Sequence, residues 1–205
     1  SARIVEVNFF PTWSVPEIVA QQDLIPKIRK DPSYVANEHF SVMPDWKAKP
    51  LDLATIDWNA PQVVSYKFRQ DPGTFNALGV VRINMPNKHS VYMHDTPLKQ
   101  LFSQSVRAFS SGCVRVERVL DLVAWLLAPV GWTPERVQAA ASSGERLDVK
   151  LKAPVPVHFV YLTAFATPNG VVEFRPDIYG RDGIGEGADD PRDAVVAQQR
   201  AAVTP

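Results

Sequence analysis

The stretch from Val91 to Val116, VYMHDTPLKQLFSQSVRAFSSGCVRV, constrains this chain more than any other. A short β-prone run, Ser90 to Met93, leads into His94, and the chain's only cysteine, Cys113, follows after a connector. Beyond it, Val116, Val119, Leu120, Val123 and Leu127 recur at three- and four-residue steps, the period of a helix with one apolar face. The spacing predicts a strand, a connector and a helix, with Cys113 in the turn that opens the helix.

A single cysteine cannot close an intramolecular disulfide, which leaves a free thiol or a bond between chains. Its setting favours a reactive thiol. At a helix N-terminus, unsatisfied N–H groups and the positive end of the dipole favour a thiolate. Gly112 has no Cβ, so the Ser110-Ser111-Gly112 turn lets a substrate approach the backbone closely. The N–H groups of Gly112 and Cys113 are then candidate oxyanion donors. His94 is the candidate base, because an ordinary thiol is only slightly ionised at neutral pH and gains from a neighbouring imidazole. Each residue alone has a plainer reading: a lone Cys is most often a small buried apolar group, and a lone His a surface or capped one. The pairing of His-Asp-Thr at a strand end with Ser-Gly-Cys before an amphipathic pattern is far more specific than either part.

His94-Asp95-Thr96 and Ser111-Gly112-Cys113-Val114-Arg115 resemble the signature of the L,D-transpeptidases with a YkuD-type catalytic domain. These are cysteine enzymes that cross-link peptidoglycan. The commonest family pattern has a His before the Gly of the cysteine motif; Ser111 stands there in this chain. With HDTP, LF and SSGCVRV in order, the chain is similar to the lid-bearing, YcbB-like branch. The resemblance runs over most of Phe9 to Gly180. It implies a YkuD β-sandwich, an inserted lid, peptide stems as donor and acceptor, β-lactams of the carbapenem type as covalent inhibitors, and a place in the bacterial cell envelope or periplasm. It needs no cofactor.

Composition narrows the alternatives. The 205 residues suffice for one sizeable core or one domain with an insertion. Acidic and basic residues number 22 each, which argues against nucleic acid as a partner. No run approaches the length of a membrane span, and Ser1-Ala2-Arg3 leads directly into a strand-like pattern, so these residues are expected to be strand and not signal peptide. One cysteine and scattered histidines give no metal-ligand spacing.

Along the chain, Arg3 to Phe10 alternates as a strand. Glu17 to Lys30 fits one or two short helices interrupted at Pro26. Asp31 to Asn59 has little periodicity, and 15–60 is expected to be the lid. Val63 to Arg69, Ala77 to Met85 and Ser90 to His94 read as strands, and Leu98 to Phe102 as a helical turn. Thr133 and Pro134 are expected to cap and open a second helix ending near Gly144. Leu147 to Leu151 reads as a strand, Val155 to Ala166 as a central strand with His158 packed inside it, and Val171 to Tyr179 as its hairpin partner across Pro168-Asn169-Gly170. His39 and His89 are expected to be solvated. Residues 181–205 read as a tail, with a short helix at Ala194 to Ala202. The fold class expected is mainly β with flanking helices, α+β, with a catalytic domain over 1–180.

The resemblance implies a two-step acyl transfer. Cys113 attacks a tetrapeptide stem, releases D-Ala and forms a thioester, and the side-chain amine of a second stem takes the acyl group to give a 3-3 cross-link. Asp95 and Thr96 hold the imidazole or are plain turn residues. Tyr92 and Trp13 border the substrate groove, with Trp13 equally readable as a packing residue. Arg115 holds the turn, contacts a substrate carboxylate or is simply solvated. An L,D-carboxypeptidase, an enzyme making 1-3 links or attaching a lipoprotein, and a non-catalytic peptidoglycan-binding module remain open readings.

Overall fold

The computed structural model describes residues 1–104, 106–110 and 112–182. Its strands are β1 (Ala2–Phe9), β2 (Trp13–Ser14), β3 (Phe40–Met43), β4 (Lys67–Gln70), β5 (Val81–Asn84), β6 (Met93–His94), β7 (Val114–Arg115), β8 (Leu147–Val157), β9 (Ala164–Ala166) and β10 (Val172–Phe174). The helices are α1 (Glu17–Val19), α2 (Ile25–Lys30), α3 (Tyr34–Asn37), α4 (Val119–Leu127) and α5 (Pro134–Ser142). Mixed sheets with few helices match the mainly β class expected.

The main sheet has the order β7-β6-β5-β1-β8, antiparallel throughout except for the parallel β6–β7 pair. Alternation decides its two faces. Val7, Phe9, Val81, Ile83 and Met93 point to one side and are buried against Val119, Val123, Leu126 and Leu127 of α4 and Val137 of α5. Trp132, in the turn between these helices, stacks on Phe9 with ring centroids 5.6 Å apart. The intervening residues Glu6, Asn8, Arg82, Asn84 and His94 point to the other side. Packing α4 and α5 on the apolar face leaves the polar face to carry chemistry.

A second core lies between Phe9 and β5. The small sheet β2-β4-β3 and the α1–α2 segment bury Trp13, Val15, Leu24, Ile25, Ile28, Val35, Phe40, Val42, Trp58, Val63 and Phe68 together. The stretch from Asp31 to Asn59 thus contains α3 and β3, where weak periodicity predicted an irregular loop. This core extends past Ala60 through β4 to Leu78 and takes in Tyr92. Pro26 does not interrupt the helix as expected. It occupies the first turn of α2, where its missing N–H costs least, and a π-helical turn at Ala20–Leu24 joins α1 to α2.

Three further expectations change. Val63 to Arg69 is a 3-10 turn before a shorter strand. The apolar run from Val155 to Ala166 is not a central strand: β8 is the outer strand of the main sheet and ends at Val157. His158 is exposed and bonded to the Ser1 hydroxyl at 2.7 Å rather than packed in a strand. The hairpin across Gly170 forms as a separate two-stranded sheet, β9–β10. Thr133 caps α5 as expected, its hydroxyl accepting from the Arg136 N–H at 3.3 Å. Ser111 and the expected helix from Ala194 to Ala202 lie outside the described residues. Among the described residues, no helix is long and apolar enough to cross a membrane.

The face assignment is tested by neighbours on β5. Ile83→Ala removes a fully buried side chain and is expected to cost about 3 kcal/mol in urea unfolding. Asn84→Ala, one residue on and facing the other way, is expected to stay within about 0.5 kcal/mol.

Candidate active site

The parallel pairing of β6 and β7 builds the site. Met93 lies opposite Val114 and His94 opposite Arg115. The Val114 N–H donates to the Tyr92 carbonyl and the Val116 N–H to the His94 carbonyl, each at 2.9 Å. Side chains at paired positions share a face, and successive ones alternate. Met93 and Val114 therefore face α4, whereas Tyr92, His94, Cys113 and Arg115 project together from the polar face. His94, Tyr92 and Cys113 line one cavity of about 220 Å³.

Cys113 does not open a helix. It leads into β7, and α4 begins only at Val119. The helical period beginning at Val116 is real, but pairing with β6 takes the residues nearest the cysteine into the sheet. The dipole argument for a thiolate is thereby lost. Burial instead pushes the Cys113 thiol up, against hydrogen bonding from Tyr92 and the positive charges of Arg115 and Arg82, which pull it down.

His94 is buried, and burial lowers it to about 4. Its Nδ1–H donates to the carbonyl oxygen of Asp95. A carbonyl only accepts, so this bond fixes the proton on Nδ1 and leaves Nε2 as a lone-pair acceptor. At neutral pH the site holds a neutral thiol and a neutral imidazole, rather than a preformed thiolate and imidazolium. That arrangement suits proton transfer during attack on a carbonyl.

The neighbours of His94 divide their work. Asp95 contributes its main-chain carbonyl to the imidazole; its buried carboxylate accepts from the Val80 N–H at 3.1 Å and pairs with Lys99. Thr96 caps the following turn through the Leu98 N–H at 3.1 Å and makes no bond to the imidazole among the described residues. Gly79 has φ +60, and a Cβ there would run into the Asp95 carboxylate. Its conformation and its missing side chain both serve the Asp95 anchor.

The cysteine turn is tied down by its own residues. The Ser110 hydroxyl donates to the Cys113 carbonyl at 2.6 Å, and Arg115 Nη1 donates to the Phe109 carbonyl at 2.8 Å. Arg115 is thus half-buried and bonded, not solvated. Gly112 has φ +144 and a long 3.4 Å bond from its N–H to Ser110 Oγ. The Cys113 N–H has no partner among the described residues. Trp13 is buried in the second core and also lines the cavity. The Tyr92 phenol beside it is pushed up by burial and by the nearby Cys113.

A second cleft of about 450 Å³, lined by Leu101, Phe102, Arg107 and Tyr179, meets the first at Ser110, Gly112, Cys113 and Arg115. The first is also lined by Trp13, Pro16, Ile18 and Val19. His89 is exposed as expected but sits at its rim, and His39 is exposed and stacked on Phe75. No group of three or more His, Cys, Asp or Glu residues among the described residues is placed to hold a metal ion. Sequence reasoning placed Ser110 in the cysteine turn but missed Gly79, Asn8, Arg82 and Lys99. Strand alternation puts Arg82 on the face away from Val81 and Ile83, but nothing local says which strand pairs with β5.

A thiol and a neutral imidazole facing one cavity, with two clefts meeting at the sulfur, are the parts an acyl-transfer enzyme uses. Residues 1–157 match the YkuD family, the L,D-transpeptidase catalytic domain, and the chain belongs to that family. It is 37% identical over 182 residues to a Haemophilus influenzae protein named "Putative L,D-transpeptidase". The match covers 88% of this chain and 37% of that protein, so the chain spans well under half the length of its relative.

Two outcomes check the geometry. Gly79→Ala forces a methyl against Asp95 from a strained backbone, with an expected loss on the order of 2 kcal/mol in urea unfolding. The folded His94 imidazole is expected to titrate near pH 4 by NMR, well below its ordinary value of 6.5. Because the unfolded chain takes up that proton first, the His94 contribution to stability is complete above about pH 6.5 and is lost as pH falls toward about 4.

Proposed function

We propose that this chain is a peptidoglycan L,D-transpeptidase in which Cys113 is the nucleophile and His94 the general base. The observation that carries the reading is the shared face of the β6–β7 pair, which turns the sulfur and an imidazole with a free Nε2 into one cavity. The family supplies the substrate class, peptide stems of the cell wall.

In the first step, Cys113 Sγ attacks the carbonyl that joins the diaminopimelate residue to the terminal D-Ala, while His94 Nε2 takes the thiol proton. The N–H groups of Gly112 and Cys113 bind the developing oxyanion. The C–N bond breaks, His94 returns its proton to the departing amine, and D-Ala leaves. In the second step, the side-chain amine of another stem attacks the thioester. His94 accepts the amine proton, the C–S bond breaks and the thiol is reprotonated, giving a 3-3 cross-link. Asp95 holds the imidazole tautomer, Thr96 shapes the turn behind it, and Arg115 fixes the cysteine loop. Tyr92 and Trp13 border the acyl group.

The two clefts support transfer over hydrolysis, since a transferase must seat two peptides at one sulfur. The inserted unit, acting as a lid, shields the thioester from water on the Trp13 side. The setting proposed is the periplasm or cell envelope, and carbapenems acylate the same sulfur.

Incubation of the chain with purified muropeptides and mass analysis of the products tests this. Cross-linked dimer with release of D-Ala is expected; release of D-Ala alone marks a carboxypeptidase, and unchanged muropeptides mark a binding module. Cys113→Ala is expected to abolish turnover, and His94→Ala to reduce kcat by at least about a hundredfold. A carbapenem is expected to add its mass to the intact chain and to leave Cys113→Ala unmodified.

A further inference from the structure

Arg82 on β5 lies opposite His94 on β6 and opposite Asn8 on β1. Asp148 continues the row on β8 and Arg115 on β7. Five side chains thus cross the polar face in one line that passes through the candidate base. Asn8 is the hinge of this row. Its amide donates to Glu6 at 2.8 Å and to Asp148 at 2.7 Å, and its carbonyl oxygen accepts from Arg82 Nε at 2.9 Å.

The order of these bonds keeps both carboxylates one residue away from the guanidinium. Arg82 meets a neutral oxygen and, among the described residues, has no ion pair. Arg118, Arg146 and Arg175, all more exposed, each pair with a carboxylate. A half-buried guanidinium left unpaired is costly unless another group uses its charge. Its guanidinium carbon lies 5.6 Å from the centroid of the Tyr92 ring, and Tyr92 is the residue across from Cys113.

We propose that Arg82 is a positioning residue whose unpaired guanidinium, set by Asn8 and laid over Tyr92, supplies positive charge that stabilises the sulfur anion of Cys113 as it forms. The other titratable groups around the sulfur are Arg115 on its own strand, Tyr92 and His94 on β6, Arg107 and Tyr179 along one cleft and His89 along the other. Of the cations, Arg115 donates from Nη1 to the Phe109 carbonyl, leaves its Nε buried without a partner and is the larger positive charge acting on the sulfur, and Arg107 donates to the Phe102 carbonyl at 3.4 Å. Arg82 is the one held by a side chain from across the sheet. Burial works against the thiolate, and the charges of Arg115 and Arg82 offset it. The inference uses Cys113 as the nucleophile but not the identity of its substrate.

Alkylation of Cys113 by iodoacetamide, followed by intact mass across a pH series at low ionic strength, reads the thiol without any peptide. Its failure is therefore distinct from a failure to cross-link muropeptides. Arg82→Gln is expected to move the alkylation midpoint up by about one pH unit, about tenfold less thiolate below the midpoint. Arg82→Lys keeps the charge and is expected to stay near the parent chain. Asn8→Ala removes the oxygen that sets Arg82 and is expected to shift the midpoint the same way as Arg82→Gln by a smaller amount, which keeps the test alive should Arg82→Gln fold poorly. An unmoved midpoint in Arg82→Gln or in Asn8→Ala, or an equal shift in Arg82→Lys, overturns the proposal.

Discussion

Two hydrogen bonds between β6 and β7 carry the rest of this structure. They join two short segments separated by a loop, and they do so in parallel, so paired residues show the same face. Because the period of a strand is two, a one-residue slip would turn Cys113 toward α4 and bring Val114 into the cavity. The apolar pair Met93 and Val114 resists that slip, since it packs on the core beneath. The register of the chemical groups is thus enforced from the opposite face, by groups that do no chemistry.

This arrangement explains the electrostatics. Both candidate groups are drawn toward their neutral forms, the imidazole by burial and the thiol by burial. What remains is a proton poised to move when a carbonyl arrives, with its direction fixed by the Asp95 carbonyl on the far nitrogen. The Asp95 anchor depends in turn on Gly79 and on the Val80 N–H, at the entrance to β5. The second core contributes through Trp13, which reaches the cavity wall beside Tyr92. The two cores therefore meet at the cavity.

Much of this was legible in the sequence, and the limits were physical. The lone Cys113 after Ser-Gly and His94 at the end of a β-prone run identify the pair and the family signature. The Thr133-Pro134 start of α5 follows from local capping chemistry, and the hairpin across Gly170 from its turn residues. The placement of Cys113 at a helix start does not hold, because helical spacing beginning at Val116 cannot reveal that the preceding residues find a strand partner. The central strand expected from Val155 to Ala166 fails for a similar reason: β-prone residues show that a strand can form, not where it sits in a sheet. Asp31 to Asn59 looked irregular because its short elements never reach one full amphipathic period. Arg82 and Asn8 were invisible as a pair, since their contact depends on β1 meeting β5.

The central claim is that the thiol and the imidazole are both neutral before reaction, so that a proton moves while the sulfur attacks. Single-turnover acylation of Cys113 by a tetrapeptide stem, followed by intact mass in H2O and in D2O, tests it most directly. The neutral pair predicts slower acylation in D2O, an effect that is absent from the residual rate of His94→Ala. Equal rates in the two solvents would mean that the proton had already moved, and would contradict the account.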